Sequence, residues 1–185
     1  MLQDILFAIW FLLPAAVANA VPVFAAAIPF LKKFDAPIDA NKTWRGRQLL
    51  GPHKTWRGII SGIIVSTLIL WIQVILVGQF EWARYIADGV DYSVLPILIL
   101  GPLFAIGALG GDAIESFFKR QKNIKSGGAW IPFDQLDYII GSVLVSLFFV
   151  ILSPIQYVLI FIVWFLMHLL ASYVGYKLGL KKDPI

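Results

Sequence analysis

The chain has 185 residues, 59% of them hydrophobic and 14% charged, with a mean hydropathy of +0.83. Soluble domains are about half apolar and about a quarter charged, so this composition excludes a disordered chain and a water-soluble nucleic-acid binder, even at a net charge of +4. The absence of cysteine excludes disulfides, thiolate metal sites and cysteine nucleophiles.

The expected class is an all-α polytopic integral membrane protein forming a single domain over residues 1–185. A helix needs about 20 apolar residues to cross the hydrocarbon, and residues 4–31 supply the first candidate. Ala18-Asn19-Ala20 has the form of a signal-peptide cleavage site, but no basic residue precedes the apolar run and the run continues past it. It is read as a span. Pro14, Pro22 and Pro29 predict a bent helix with freed backbone groups, for which Asn19 is a candidate partner. Residues 59–78 and 93–113 give the second and third spans. The apolar stretch from Tyr138 to Tyr176 is too long for one crossing and breaks at Ser153-Pro154, giving spans over 138–153 and 154–176. The total is about five.

Loop charges set the expected orientation. Residues 32–58 carry Lys32, Lys33, Lys42, Arg45, Arg47, Lys54 and Arg57 against Asp35 and Asp39. Residues 114–137 carry Lys119, Arg120, Lys122 and Lys125, and the tail carries Lys177, Lys181 and Lys182. Residues 79–92 hold Arg84 against Glu81, Asp88 and Asp91. The positive-inside rule puts the first three basic segments in the cytoplasm and the N-terminus outside. Lys42-Thr43-Trp44-Arg45-Gly46 recurs as Lys54-Thr55-Trp56-Arg57-Gly58, an offset of 12 residues that reads as a local duplication in one loop.

Four carboxylates gather around the third span and the loop after it. Glu115, Ser116 and Lys119 follow Asp112 at offsets of three, four and seven, which places all of them on one helix face. Asp134 and Asp137 are three apart and share a face if the fourth helix starts there. Acids at membrane depth cost roughly 2.5–3.5 kcal/mol each and usually have a use. Oxygen ligands without His or Cys point to magnesium, one or two ions, which favours carboxylates plus substrate phosphates. Lys119, Arg120 and Lys125 can hold phosphate oxygens or anchor the loop to anionic headgroups. Gly46-x4-Gly51 before Lys54-Thr55 is not a P-loop, because Pro52 and His53 interrupt it and no strand precedes it. Lys54 and Arg57 at a helix start still suit a phosphate. His53 is isolated, and His168 reads as a packed side chain inside the last span. The stretch from Ser126 through Gly127 and Gly128 to Trp130 and Pro132 reads as a flap or as an ordinary loop.

Gly111-Asp112, Ser116-x-x-Lys119-Arg120, Lys125 and Asp134-x-x-Asp137 together resemble the signature of the CDP-diacylglycerol synthases. That signature runs serine, Lys-Arg, a further Lys, a Gly-rich turn and a closing Asp-Arg-x-Asp. Here the His-Gly-Gly element is missing, Gln135 stands in place of the Arg, and Ser126 stands where an Asp usually follows the second Lys. These departures, the short chain and Lys54-Thr55-Trp56-Arg57-Gly58 look like the archaeal branch, the CDP-archaeol synthases. The resemblance implies transfer of CMP from CTP to 2,3-di-O-geranylgeranyl-sn-glyceryl phosphate, an isoprenoid glycerophosphate lipid, with release of pyrophosphate in the cell membrane. It implies that Asp112, Asp134 and Asp137 hold Mg2+, with Glu115 behind them or as an alternative ligand. Lys119, Arg120 and Lys125 would bind CTP phosphates, Ser116 a phosphate or a neighbouring acid, and Lys54 and Arg57 either substrate. A CTP-dependent polyprenol kinase and a small membrane transporter are the competing readings. No nucleic-acid partner is expected.

Overall fold

The computed structural model describes residues 1–87, 89–125, 128–177 and 179. Lys181, Lys182, Asp88 and the Ser126-Gly127 part of the proposed flap lie outside the described residues. The elements are the helices α1 (Leu2–Ala27), α2 (Trp56–Gln79), α3 (Glu81–Ile86), α4 (Ile97–Gln121), α5 (Phe133–Ser146) and α6 (Pro154–Lys177), with a hairpin of β1 (Thr43–Trp44) and β2 (Arg47–Gln48) between α1 and α2.

Helix ends follow local chemistry. Ile28 precedes Pro29, which disfavours helical geometry in the residue before it; Ile28 is extended (φ −82°, ψ 115°) and closes α1 short of the expected residue 31. Thr55 caps α2 by accepting the Gly58 N–H at 3.3 Å. The two copies of the repeated pentapeptide fold differently. The first is the β-hairpin, whose turn residues Arg45 and Gly46 both have positive φ (51° and 75°), as a tight hairpin turn requires. The second is the start of α2, because the apolar run from Ile59 lets the helix propagate and bury a face.

Three sequence expectations change. The third span begins at Ile97, after Pro96, and α4 continues to Gln121, so residues 114–121 are helix and not loop. The fourth expected span, 138–153, is helical only to Ser146. At 14 residues α5 is about 21 Å long, short of the ~30 Å hydrocarbon thickness. Its remainder is irregular, with the Leu152 N–H bonded to the Tyr157 hydroxyl at 3.1 Å, and Pro154 restarts the helix where the break was expected. Among the described residues, α1, α2, α4 and α6 are the four helices long and apolar enough to cross a membrane.

Pro14 has no N–H to give, so the Trp10 carbonyl loses its helical partner. Gln73 of α2, fully buried, donates Nε2 to that oxygen at 2.6 Å. Gln73, and not Asn19, answers this proline. Phe7, Phe11, Leu12, Leu70, Leu100 and Phe104 fill the centre of the bundle. Outward-facing Leu98, Phe148 and Ile151 stay exposed, as a lipid-facing surface demands.

The closest helix contact is between α4 and α5. A Cβ on Gly107 would lie 2.6 Å from the Gly141 carbonyl oxygen, and one on Gly111 would strike the Asp137 carbonyl. Small residues four apart allow two backbones to approach in this way. That seam sets the depth at which Asp112 and Asp137 meet.

Candidate active site

The acids come together at one end of the bundle. Carboxylate oxygens of Asp112, Glu115 and Asp137 all lie within 4.8 Å of one another. Asp112 and Glu115 are carried by α4, and Asp137 crosses the glycine seam from α5, one residue before the apolar stretch that begins at Tyr138. Lys54, from the turn before α2, pairs with Asp112. Lys119 lies between Glu115 (3.3 Å) and Asp134 (2.7 Å). Asp134 also accepts the Trp130 N–H at 2.7 Å, which ties the loop after α4 to the first turn of α5.

Four carboxylates face two ammonium groups here, a formal excess of two negative charges. Bare acids this close must take up protons or a cation, and the donors are all hard oxygens. The residues fit a divalent cation.

Ser116 and Arg120 are buried on the same side of α4; Arg120 donates Nη2 to the Lys125 carbonyl at 3.3 Å, which folds the following turn back onto the helix. Lys122 stands 4.7 Å from the Trp130 ring centre. His168 packs with Tyr138, ring centres 5.9 Å apart, in line with a packing role.

A cavity of about 730 Å³ opens between α1, α2 and α4, directly beside the acids. Lys32, Lys54 and Arg57 line its polar part, Val23, Ile106 and Leu109 its apolar part, and Asp112 belongs to both cavity and acid cluster. Arg57 is buried (7% exposed) and pairs through Nη2 with Asp35 at 2.8 Å. The sequence reading gave no role to Asp35, to Gln73 or to the glycine seam. The four-residue spacing of Gly107 and Gly111 was the available signal for the last.

Helices of membrane length that carry carboxylates and lysines beside a half-apolar cavity define a membrane protein with a candidate cation site. A family model described as CDP-archaeol synthase matches residues 1–185. The CDP-archaeol synthase of Methanocaldococcus jannaschii is 39% identical over 189 aligned residues, covering 98% of both chains. That of Thermococcus kodakarensis is 35% identical, covering 99% of this chain and 98% of its own. A solved structure of an intramembrane enzyme for archaeal membrane lipid biosynthesis superposes with a TM-score of 0.70 at 30% identity, over 89% of this chain and 92% of that one. The chain belongs to the CDP-archaeol synthase family and is a membrane protein.

Proposed function

We infer that the protein transfers CMP from CTP to the phosphate of 2,3-di-O-geranylgeranyl-sn-glyceryl phosphate, giving the CDP-activated lipid and pyrophosphate. The observation that carries this reading is the acid cluster beside a cavity that is basic at one end and apolar along its wall, in a chain of this family. The lipid phosphate is anionic at neutral pH and needs no activating base. One of its oxygens bonds to the α-phosphorus of CTP while the bond to the β-phosphate oxygen breaks, and pyrophosphate carries away the electron pair. The difficulty is charge, so catalysis reduces to positioning and to cations that meet the phosphate oxygens.

In this reading Asp112, Glu115 and Asp137 hold Mg2+, with Asp134 closing the group through Glu115 and Lys119. When bound, the ion neutralises phosphate charge that builds during transfer. Lys119, Arg120 and Lys125 take the CTP phosphates, and Ser116 donates to a phosphate or to a neighbouring acid. Lys54, on Asp112, stands where the cavity meets the acids and aligns the incoming anion.

The chain is read as crossing the cell membrane about five times, with α5 and residues 147–153 making the fourth passage. In support, Gln3 donates to the Tyr85 carbonyl at 2.7 Å and Gln156 approaches Gly89, which gathers both residues at the end opposite the acids. The basic segments 32–58 and 114–137 lie at the acid end, which by the positive-inside rule faces the cytoplasm and the CTP pool.

The test is incubation of detergent-purified protein with Mg2+, α-labelled CTP and the geranylgeranylated glyceryl phosphate. Label should enter the lipid phase with stoichiometric pyrophosphate. Label from the γ-position entering a lipid alcohol would make the protein a kinase, and inertness to both would return transport to the front.

A further inference from the structure

Arg57 presents an imbalance that the proposed reaction leaves unused. Its guanidinium carries five N–H donors in a planar fork. Its Nη2 pairs with the Asp35 carboxylate at 2.8 Å, while Nε is buried with no hydrogen-bond partner. The pair is lopsided: Arg57 is 7% exposed and the Asp35 side chain 53%. Both line the cavity that also holds Lys32 and Lys54.

Resting on the reading above, we propose that Asp35 is a built-in counter-ion occupying the lipid-phosphate seat on Arg57, and that the substrate's phosphate displaces it. This assigns Arg57 to the lipid substrate and not to CTP.

The argument is geometric. A carboxylate held by one guanidinium nitrogen is a poorer partner than a phosphate whose oxygens bridge two, and the unpartnered Nε is the second donor such a ligand needs. The seat is on the apolar side of the acids, where Val23, Ile106 and Leu109 can cover hydrocarbon, and Lys54 links it to Asp112. The backbone around Asp35 is fixed. Ala36 accepts the Trp56 N–H at 3.0 Å, the Ile38 N–H bonds the Lys54 carbonyl at 2.9 Å, and Pro37 pairs with Thr55. Displacement therefore requires only rotation of a half-exposed side chain into solvent. Until a lipid arrives, Asp35 keeps a buried cation compensated.

The experiment compares wild type, Asp35→Asn, Asp35→Glu and Arg57→Gln in a non-ionic detergent. The direct readout is binding of decyl phosphate by calorimetry, with decanol as the headless control. Removing the competing charge should tighten decyl phosphate binding by roughly tenfold, the scale of one charge-assisted contact. Asp35→Glu should behave as wild type, Arg57→Gln should lose binding, and decanol should distinguish none of them. In turnover, Asp35→Asn should lower KM for the lipid phosphate and leave KM for CTP unchanged. Unchanged or weaker decyl phosphate binding in Asp35→Asn, with unfolding temperature and elution like wild type, would overturn the proposal. A shift in KM for CTP instead would do the same. If the wild type binds decyl phosphate as described but makes no CDP-lipid, the reaction assignment fails while the anion seat stands.

Discussion

Gly107→Ala puts the geometry of the acid cluster under the most direct test. A methyl at residue 107 would sit 2.6 Å from the Gly141 carbonyl oxygen and 3.0 Å from the Ser142 Cα. Ordinary contact begins near 3.4 Å, so α5 must retreat from α4 by the difference, about 0.8 Å. Both obstacles are backbone, and no flexible side chain can absorb the strain. Overpacking of this kind costs about 1–3 kcal/mol, which a bundle with a buried core tolerates. The site tolerates it less. Gly107 is one turn below Gly111, and the same retreat carries Asp137 away from Asp112 and Glu115. Misplacement of reacting groups by about 1 Å costs on the order of 100-fold in rate. The assay is CTP-dependent labelling of lipid beside thermal unfolding in the same detergent. Gly78→Ala is the matched control, because its methyl would meet nothing within 4 Å and should be silent. Wild-type turnover by Gly107→Ala would refute the claim that the seam sets the cluster.

Other outcomes follow from the same coordinates. Asp134→Asn removes the anion shared by Lys119 and the Trp130 N–H and should abolish turnover while the protein elutes as wild type; full activity would end that assignment. Gln73→Leu leaves the Trp10 carbonyl without a donor deep in the bundle and should cost about 1–3 kcal/mol. The effect should appear as a lower unfolding temperature with little change in kcat. Mg2+ should raise the unfolding temperature of the cation-free protein, and Asp137→Asn should abolish that rise. Thermal unfolding with and without Mg2+ reads this directly, and an equal rise in the variant would contradict the cluster. Thr55→Ala should destabilise the start of α2 by about 1 kcal/mol, measured by chemical or thermal unfolding.

The relation of sequence to structure is clearest at particular residues. Hydropathy located the four long helices because lipid exposure tolerates little else, and Pro154 marked the restart of α6 because the residue before proline resists helical geometry. Helical spacing alone put Asp112, Glu115, Ser116 and Lys119 on one face of α4, and the family signature begins in the same stretch and runs on to Asp137. The extent of α5 was not legible, since an apolar segment reads the same whether its last residues are helical or irregular. The repeated pentapeptide makes the limit plain. Identical five-residue strings became a hairpin and a helix start, decided by the apolar run following only the second.

What the sequence determined, then, was the membrane class, the inventory of acids and bases, and their order along each helix, because these depend on composition and on near neighbours. Tertiary structure decided which acids meet, through backbone contact at Gly107, Gly111 and Gly141. It also paired Lys54 with Asp112 across 58 positions, Gln73 with a carbonyl freed by Pro14, and Arg57 with Asp35. Such pairings are choices among many chemically equivalent partners. Only the packing of α1, α2, α4 and α5 brings one candidate within reach and takes the others away.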